Sequence, residues 1–291
     1  MKIPLPLAIS ASLFLASPAF AWFPQGHSMI CENALEILPD EVPSWFRGGH
    51  KLAAHTAQDP DVHKHRDLPA MTEDEFPRHF FDIELMRGEP IPPTKAQFLE
   101  LCAKLGVKPA EVGELPYTLA AWTQRLTISF AEARRFPKNR EIRTKTLVYA
   151  GILSHYSADA AMPLHTTIHY DGRALPDGKS PRSGIHARVD GLIERVKPRF
   201  LRAQKLAPRG DAWTQILEQL REANAQVDAT YALESQFPPA DSGAKTPPEI
   251  SPAVQTFTQN RAHAAQLFTA NLFLTAWRDS AKIELPAWLK R

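Results

Sequence analysis

Cysteine is nearly absent from this chain of 291 residues, which has two in all. Cys31 and Cys102 are too few for a disulfide scaffold, although an oxidising compartment would permit one bridge between them. Neither has a partner at metal-ligand spacing, so each reads as a buried thiol or as half of that single bridge. An excess of one charge is missing too. The 34 basic and 32 acidic side chains leave a formal net charge of +2, and no long-range basic field argues for tight duplex nucleic-acid binding. Beyond the N-terminus no apolar run approaches the roughly 20 residues that a bilayer span needs. Strand-type alternation is hard to find, and no glycine loop of the kind that cradles phosphates is present.

The N-terminus reads as a secretory signal. Lys2 gives a positive start, Leu7 to Leu15 a short apolar stretch, and Ala19-Phe20-Ala21 a small-x-small cleavage site. The stretch is short for a membrane anchor, and Pro4 and Pro6 precede it. Cleavage after Ala21 makes Trp22 the first residue of an exported product, periplasmic or secreted, that spans residues 22–291.

Most of that product shows apolar residues at three- and four-residue spacing, as in Ile30, Ala34, Leu35 and Leu38, and again in Leu192, Ile193 and Val196. The pattern predicts helices over about Lys95 to Lys104, Tyr117 to Arg135 and Pro252 to Asp279. Arg143 to Ala161 carries Leu147, Val148, Ala150, Ile152 and Leu153, is apolar on several sides, and predicts a central buried helix. The 26 prolines fall largely between these stretches, and Phe237 to Pro252 is the best candidate for a loose loop. The breaks separate helices rather than domains, so the expectation is an all-α protein with a single helical domain.

The strongest chemical signal is the run from Ser154 to His165. His155 and Asp159 stand four apart, so on a helix they share a face and can hold one cation. His165 would lie about 15 Å further along a continuous helix, though Pro163 ends the helix sooner, and it fits a second ion better. His186 and Asp190 repeat the four-residue offset. Such a pair alone is more often solvated or a helix-end contact. Inside a strongly apolar helix that explanation weakens, because burying an unpaired carboxylate costs several kcal/mol and a metal is one of few partners that offsets it. Two earlier clusters, Gln58 to Lys64 and Arg78 to Asp82, read alone as charged loops.

Together these residues resemble the zinc-dependent phospholipase C and single-strand-specific nuclease superfamily. The order matches from Trp22 to about Glu194: an N-terminal Trp, a following His, an Asp, a His-aromatic pair, His-x3-Asp-x5-His with Pro163 ahead of the last His, then His-x3-Asp. The resemblance implies a helical fold of the phospholipase C/nuclease type and three zinc ions lining a cleft. It assigns Trp22, through its amine and carbonyl, with His27 and Asp159 to one ion. Asp61, His79, His155 and a bridging Asp159 fall to a second, and His165, His186 and Asp190 to a third. Asp59 and Asp61 compete for the early carboxylate; Pro60-Asp61 looks like the phospholipase-type setting, and in the family this carboxylate is a candidate general base.

The implied activity is phosphodiester hydrolysis, with zinc neutralising the phosphate and activating water. A phospholipid is the leading substrate, because the Gly-Gly-Asn motif usual between the last two histidines of the nuclease branch is missing. Single-stranded nucleic acid or a 3′-nucleotide is the alternative, favoured by the short Trp22 to His27 spacing and by Asp at position 190. A non-catalytic zinc-binding protein is a third reading and would need an occluded cleft. Phe80, Phe81 and Tyr156 read as core, and no stable protein partner is implied. Histidine ligation also implies metal affinity that falls as pH drops through the imidazole range near about 6.5.

Overall fold

Helices begin in this chain where a polar side chain or a proline can satisfy the first turn, and the major elements follow that rule. A computed structural model describes residues 23–202, 205–240 and 249–291. The expected signal, its cleavage point and Trp22 lie outside the described residues. Among these the regular structure is helical, without a strand and with one isolated bridge between Tyr170 and Gly172. No described helix is long and apolar enough to cross a membrane.

The central helix runs Arg140–Asp159, starting a turn earlier than its apolar pattern because the Asn139 side chain accepts the Ile142 amide at 2.9 Å. It stops two residues before the expected end, where the chain turns through Ala160 and Ala161 toward Pro163. The preceding helix, Leu115–Arg135, carries Pro116 in its first turn and packs along the central one. Lys95–Leu105 is capped by Thr94 and ends at Gly106, whose φ of 69° closes the helix in the left-handed region. Pro252–Asp279 has the expected bounds, with Ser251 capping and Pro252 in the first turn.

Pro24–Glu36, His50–Thr56, Leu115–Arg135 and Pro252–Asp279 all pack against the central helix. Phe46 meets Phe130 and Phe273 edge-on at 4.7 and 5.6 Å in the main core, and burying each such ring contributes about 1.5–3 kcal/mol. Cys31 and Cys102 are both free and fully buried in this core. A second apolar cluster gathers Ile30, Ala158, Ala161, Met162, Leu164, Ile185 and Val189. Tyr156 and Ala160 belong to the first cluster and Ala158 to the second, so the end of the central helix runs along the seam between them.

Gly151 sets how closely the helix below that seam is approached. A Cβ there would stand 2.1 Å from Thr56 Oγ1 and 2.2 Å from the Ala53 carbonyl oxygen, so the His50–Thr56 helix lies against bare backbone. One turn further on is His155.

Of the two segments that read as charged loops, the first is a short helix, whereas in the second only Arg78 and His79 are in a 3-10 turn and Phe80 to Asp82 are irregular as expected. Asp59–His63 is helical with Pro60 in its first turn, and Phe76–His79 is a 3-10 turn with Pro77 in the same role. Phe81 and Tyr156 are core, as their sequence setting suggests, whereas Phe80 is only half-buried.

Candidate metal centre

The end of the central helix delivers His155 and Asp159, both fully buried, to one point. Around them stand His27 from the first helix, Asp61 from Asp59–His63 and His79 from the 3-10 turn. Asp159 uses its two oxygens differently: Oδ1 faces His27 Nε2 at 3.5 Å, and Oδ2 faces His79 Nδ1 at 3.0 Å and His155 Nε2 at 3.5 Å. His155 Nε2 also lies 3.1 Å from His79 Nδ1 and 3.8 Å from Asp61 Oδ1. The His27 and His155 rings stack at 3.8 Å. Of the two early aspartates, Asp61 is buried in this group, while Asp59 is half-buried and outside it.

His165, His186 and Asp190 form a separate group. Their rings lie 4.8 Å apart, and His186 Nε2 is 3.2 Å from Asp190 Oδ2. Three sets could each hold a metal ion: His27, His155 and Asp159; Asp61, His79 and His155; and His165, His186 and Asp190, with ligand atoms in each set within 4.8 Å of one another. Trp22 lies outside the described residues.

Backbone carbonyls orient most of these imidazoles. His155 Nδ1–H donates to the Ala57 carbonyl at 2.8 Å, His165 Nδ1–H to the His79 carbonyl at 2.6 Å, and His186 Nδ1–H to the Tyr170 carbonyl at 3.0 Å. A carbonyl only accepts, so Nδ1 carries the hydrogen and Nε2 turns a lone pair inward, as metal-ligating histidines do. His79 is reversed: its Nδ1 faces the group, and its Nε2 lies 3.4 Å from Glu75 Oε1.

Burial pushes the imidazoles of His79, His155 and His165 well below their ordinary range, helped by the Lys64 ammonium and, for His79 and His165, by neighbouring imidazoles. Burial takes His186 down to about 4. The carboxyls of Asp159 and Asp190 move the other way, well above theirs, through burial first and then the nearby carboxylates. Neutral imidazoles and aspartates that need a compensating cation are what a buried zinc site presents before loading.

The donor set fits such an ion. His186 Nε2 and Asp190 Oδ2 are both acceptors at 3.2 Å, a contact that needs a proton or a cation between them. A proton would serve that one contact and leave His165 Nε2 and Asp190 Oδ1 without a hydrogen-bond partner. One cation satisfies all four atoms together.

Lys64 closes one side. Its ammonium lies 2.6 Å from Asp61 Oδ1, with the side chain almost fully buried. A cavity of about 300 Å³ opens beside the groups, lined by Lys64, His79, His165 and His186 among polar residues and by Phe76, Phe80, Leu164 and Tyr170 among apolar ones. Asp82 also lines it, and burial followed by Glu84 pushes its carboxyl well above the usual range. The pattern of charges gave no signal for Glu75, whereas Asp82 ends the Arg78 to Asp82 cluster that stands out in the sequence. Lys64 had one, since it stands three residues after Asp61, a helical neighbour once Asp59–His63 is a helix.

Neither a protein-family model nor a curated relative matches the sequence. Among solved structures, the alpha toxin from Clostridium absonum superposes with a TM-score of 0.52 and 13% identity, over 88% of this chain and 64% of the toxin chain. The chain shares the alpha-toxin fold. At this identity the likeness concerns the fold alone, and the chain spans less than two thirds of the toxin's length. The alpha toxin of an avian-strain Clostridium perfringens aligns at a TM-score of 0.49 and 14% identity, over 91% of this chain and 67% of that one.

Proposed function

We propose that the protein is an exported zinc-dependent phosphodiester hydrolase, built as one helical domain over residues 22–291. The observation that carries this reading is the convergence of three buried His/Asp groups beside a single cleft with an ammonium at its wall. His27 and Asp159, with the amine and carbonyl of Trp22 freed by signal cleavage, would hold one ion. Asp61, His79, His155 and Asp159 would hold a second, and His165, His186 and Asp190 a third. Bound there, zinc would supply Lewis acidity toward the phosphate and the attacking water.

The chain's own groups do the rest. Lys64 draws an anionic phosphodiester into the cleft and holds Asp61 by one oxygen, Oδ1. Asp61 Oδ2 accepts no hydrogen bond and would take the water's proton. Phe76, Phe80, Leu164 and Tyr170 exclude bulk water and so strengthen the charge interactions inside.

A phospholipase C-like activity is favoured by the missing Gly-Gly-Asn motif and is compatible with the shared toxin fold. One observation favours a nucleic-acid substrate: the half-buried Phe80 ring and the Asp82 carboxyl both line the cleft, a flat surface and a hydrogen-bonding group suited to a base. The open cleft speaks against zinc storage. The test is turnover of phosphatidylcholine, single-stranded DNA, RNA and a 3′-nucleotide, each with and without chelator. Chelator-sensitive hydrolysis of any one supports the class and names the branch, and hydrolysis of none by zinc-loaded protein rejects it.

A further inference from the structure

His79 is the one imidazole of the centre whose inward atom is Nδ1 and whose outward atom meets a carboxylate. Glu75, almost fully buried, ends the Pro69–Glu75 helix four residues before it. Glu75 Oε1 accepts the Tyr156 hydroxyl and lies 3.4 Å from His79 Nε2, and Oε2 lies 3.4 Å from Arg78 Nη1. Tyr156 is the neighbour of His155 on the central helix. Glu75 therefore ties the turn that carries His79 to the helix that carries His155 and Asp159.

We infer that Glu75 is the positioning residue of His79, holding its hydrogen on Nε2 so that Nδ1 offers a lone pair to the metal group. The inference rests on the reading of His79 as a ligand. A competing arrangement is at hand, since Asp159 Oδ2 lies 3.0 Å from His79 Nδ1 and would accept a hydrogen there. A hydrogen on Nδ1 points into the space a metal would need. Two carboxylates thus compete for one imidazole hydrogen, and the side that wins decides whether the group is ready for an ion. Arg78 and the Tyr156 hydroxyl hold the Glu75 carboxyl in place beside Nε2, a buried atom with no other hydrogen-bond partner, whereas Nδ1 has the lone pairs of the metal group around it, and this weights the outcome toward Nε2. His155, His165 and His186 need no such device, because backbone carbonyls hold them.

The test uses the full mature chain, metal-free and then titrated with zinc alone. In metal-free protein the imidazole 15N shifts of His79 report which nitrogen bears the hydrogen. Wild type is expected to show it on Nε2. Glu75→Gln, which removes the charge at constant shape, is expected to move it toward Nδ1 and to weaken one zinc site about 10–100-fold in a chelator competition. Asp74→Asn removes a neighbouring charge paired with the same Arg78 without touching His79 and should change neither. If Glu75→Gln does not fold, Glu75→Asp keeps the charge, shortens its reach and carries the same two readouts. Unchanged 15N shifts and unchanged zinc affinity in the Glu75 variant would overturn the inference. Failure of wild type to bind zinc would strike the proposed function instead, with the tautomer of metal-free protein still deciding the role of Glu75.

Discussion

The two halves of the metal centre are built on different principles. The group around Asp159 draws its side chains from four elements distant in sequence and is knitted by contacts among the side chains themselves, with Lys64 inside it. The group around Asp190 comes from a 3-10 turn and the short Ile185–Asp190 helix, and its imidazoles are held by backbone carbonyls. The first depends on side chains from separate helices meeting; the second is held by backbone carbonyls, that of His79 among them. The first should therefore respond more strongly than the second to changes in helix packing and at the N-terminus.

The largest effect is expected from Asp159→Ala. Its two oxygens face different histidines, so its loss should empty both sites of the first group and cut turnover by more than the roughly 10–100-fold typical of groups outside the ligand set. Asp190→Ala should remove one ion and leave the first group loaded. Elemental analysis of both variants checks this, and equal losses would remove the bridging role of Asp159.

An uncleaved Met or tag before Trp22 comes next. An α-amine with a pKa of about 7.7–8.0 can give up its proton to zinc near neutral pH, whereas an internal peptide nitrogen cannot. Glu194 Oε1 accepts the Gln25 and Gly26 amides at 3.0 and 3.3 Å, and the Phe23 amide donates to the Asp190 carbonyl, so the chain just after Trp22 is fixed at the centre. Extended protein should carry one ion fewer and lose most activity. Protein restored to Trp22 by a protease should recover both, and identical zinc content in the two forms would exclude the N-terminal ligand.

Gly151→Ala tests the dependence on packing. The added methyl collides with Thr56 Oγ1 and the Ala53 carbonyl, and relieving it should cost about 1–3 kcal/mol of stability by urea unfolding. Zinc affinity should weaken in the first group, where Ala57 orients His155, and change less in the second.

The smallest effect concerns pH and separates the groups least. In metal-free protein His186 titrates near about 4, below an unfolded value of about 6.5. The unfolded state binds more protons between those values, so that histidine's contribution is complete above about 6.5 and is lost as pH falls toward 4, by roughly 3 kcal/mol in all. Asp190, raised by burial, has the opposite sign and loses stability as pH rises through its folded value. The imidazole window near 6.5 expected from composition is thus moved down by burial. With the imidazoles lowered and the Asp159 and Asp190 carboxyls raised by burial, the protons released on zinc binding are expected from those carboxyls and the α-amine of Trp22. Calorimetry of zinc binding in buffers of different ionisation enthalpy should detect that release, and its absence at pH 6–7 would mean that the aspartates are already ionised.

This contrast also explains what could be read before folding. The central and closing helices were legible from their apolar spacing and, for the closing one, from Pro252 at its start, while the Asn139 cap places the central start a turn before that spacing begins. His155 with Asp159 and His186 with Asp190 were legible because the four-residue offset is itself a contact. His27, Asp61 and His79 carry no such local mark and were reached only through the order of motifs. Glu75 and the close approach at Gly151 left no trace, because each depends on which helix meets which. The short helix Asp59–His63 read as a charged loop because its charges stand out and Pro60, which starts it, marks breaks as well as helix starts.

The central claim is that buried histidines and aspartates hold several ions at one cleft. Zinc per chain, measured by elemental analysis on mature protein purified without chelator and starting at Trp22, tests it most directly. The account predicts more than one equivalent, approaching three on loading, and a finding of one or none would contradict it.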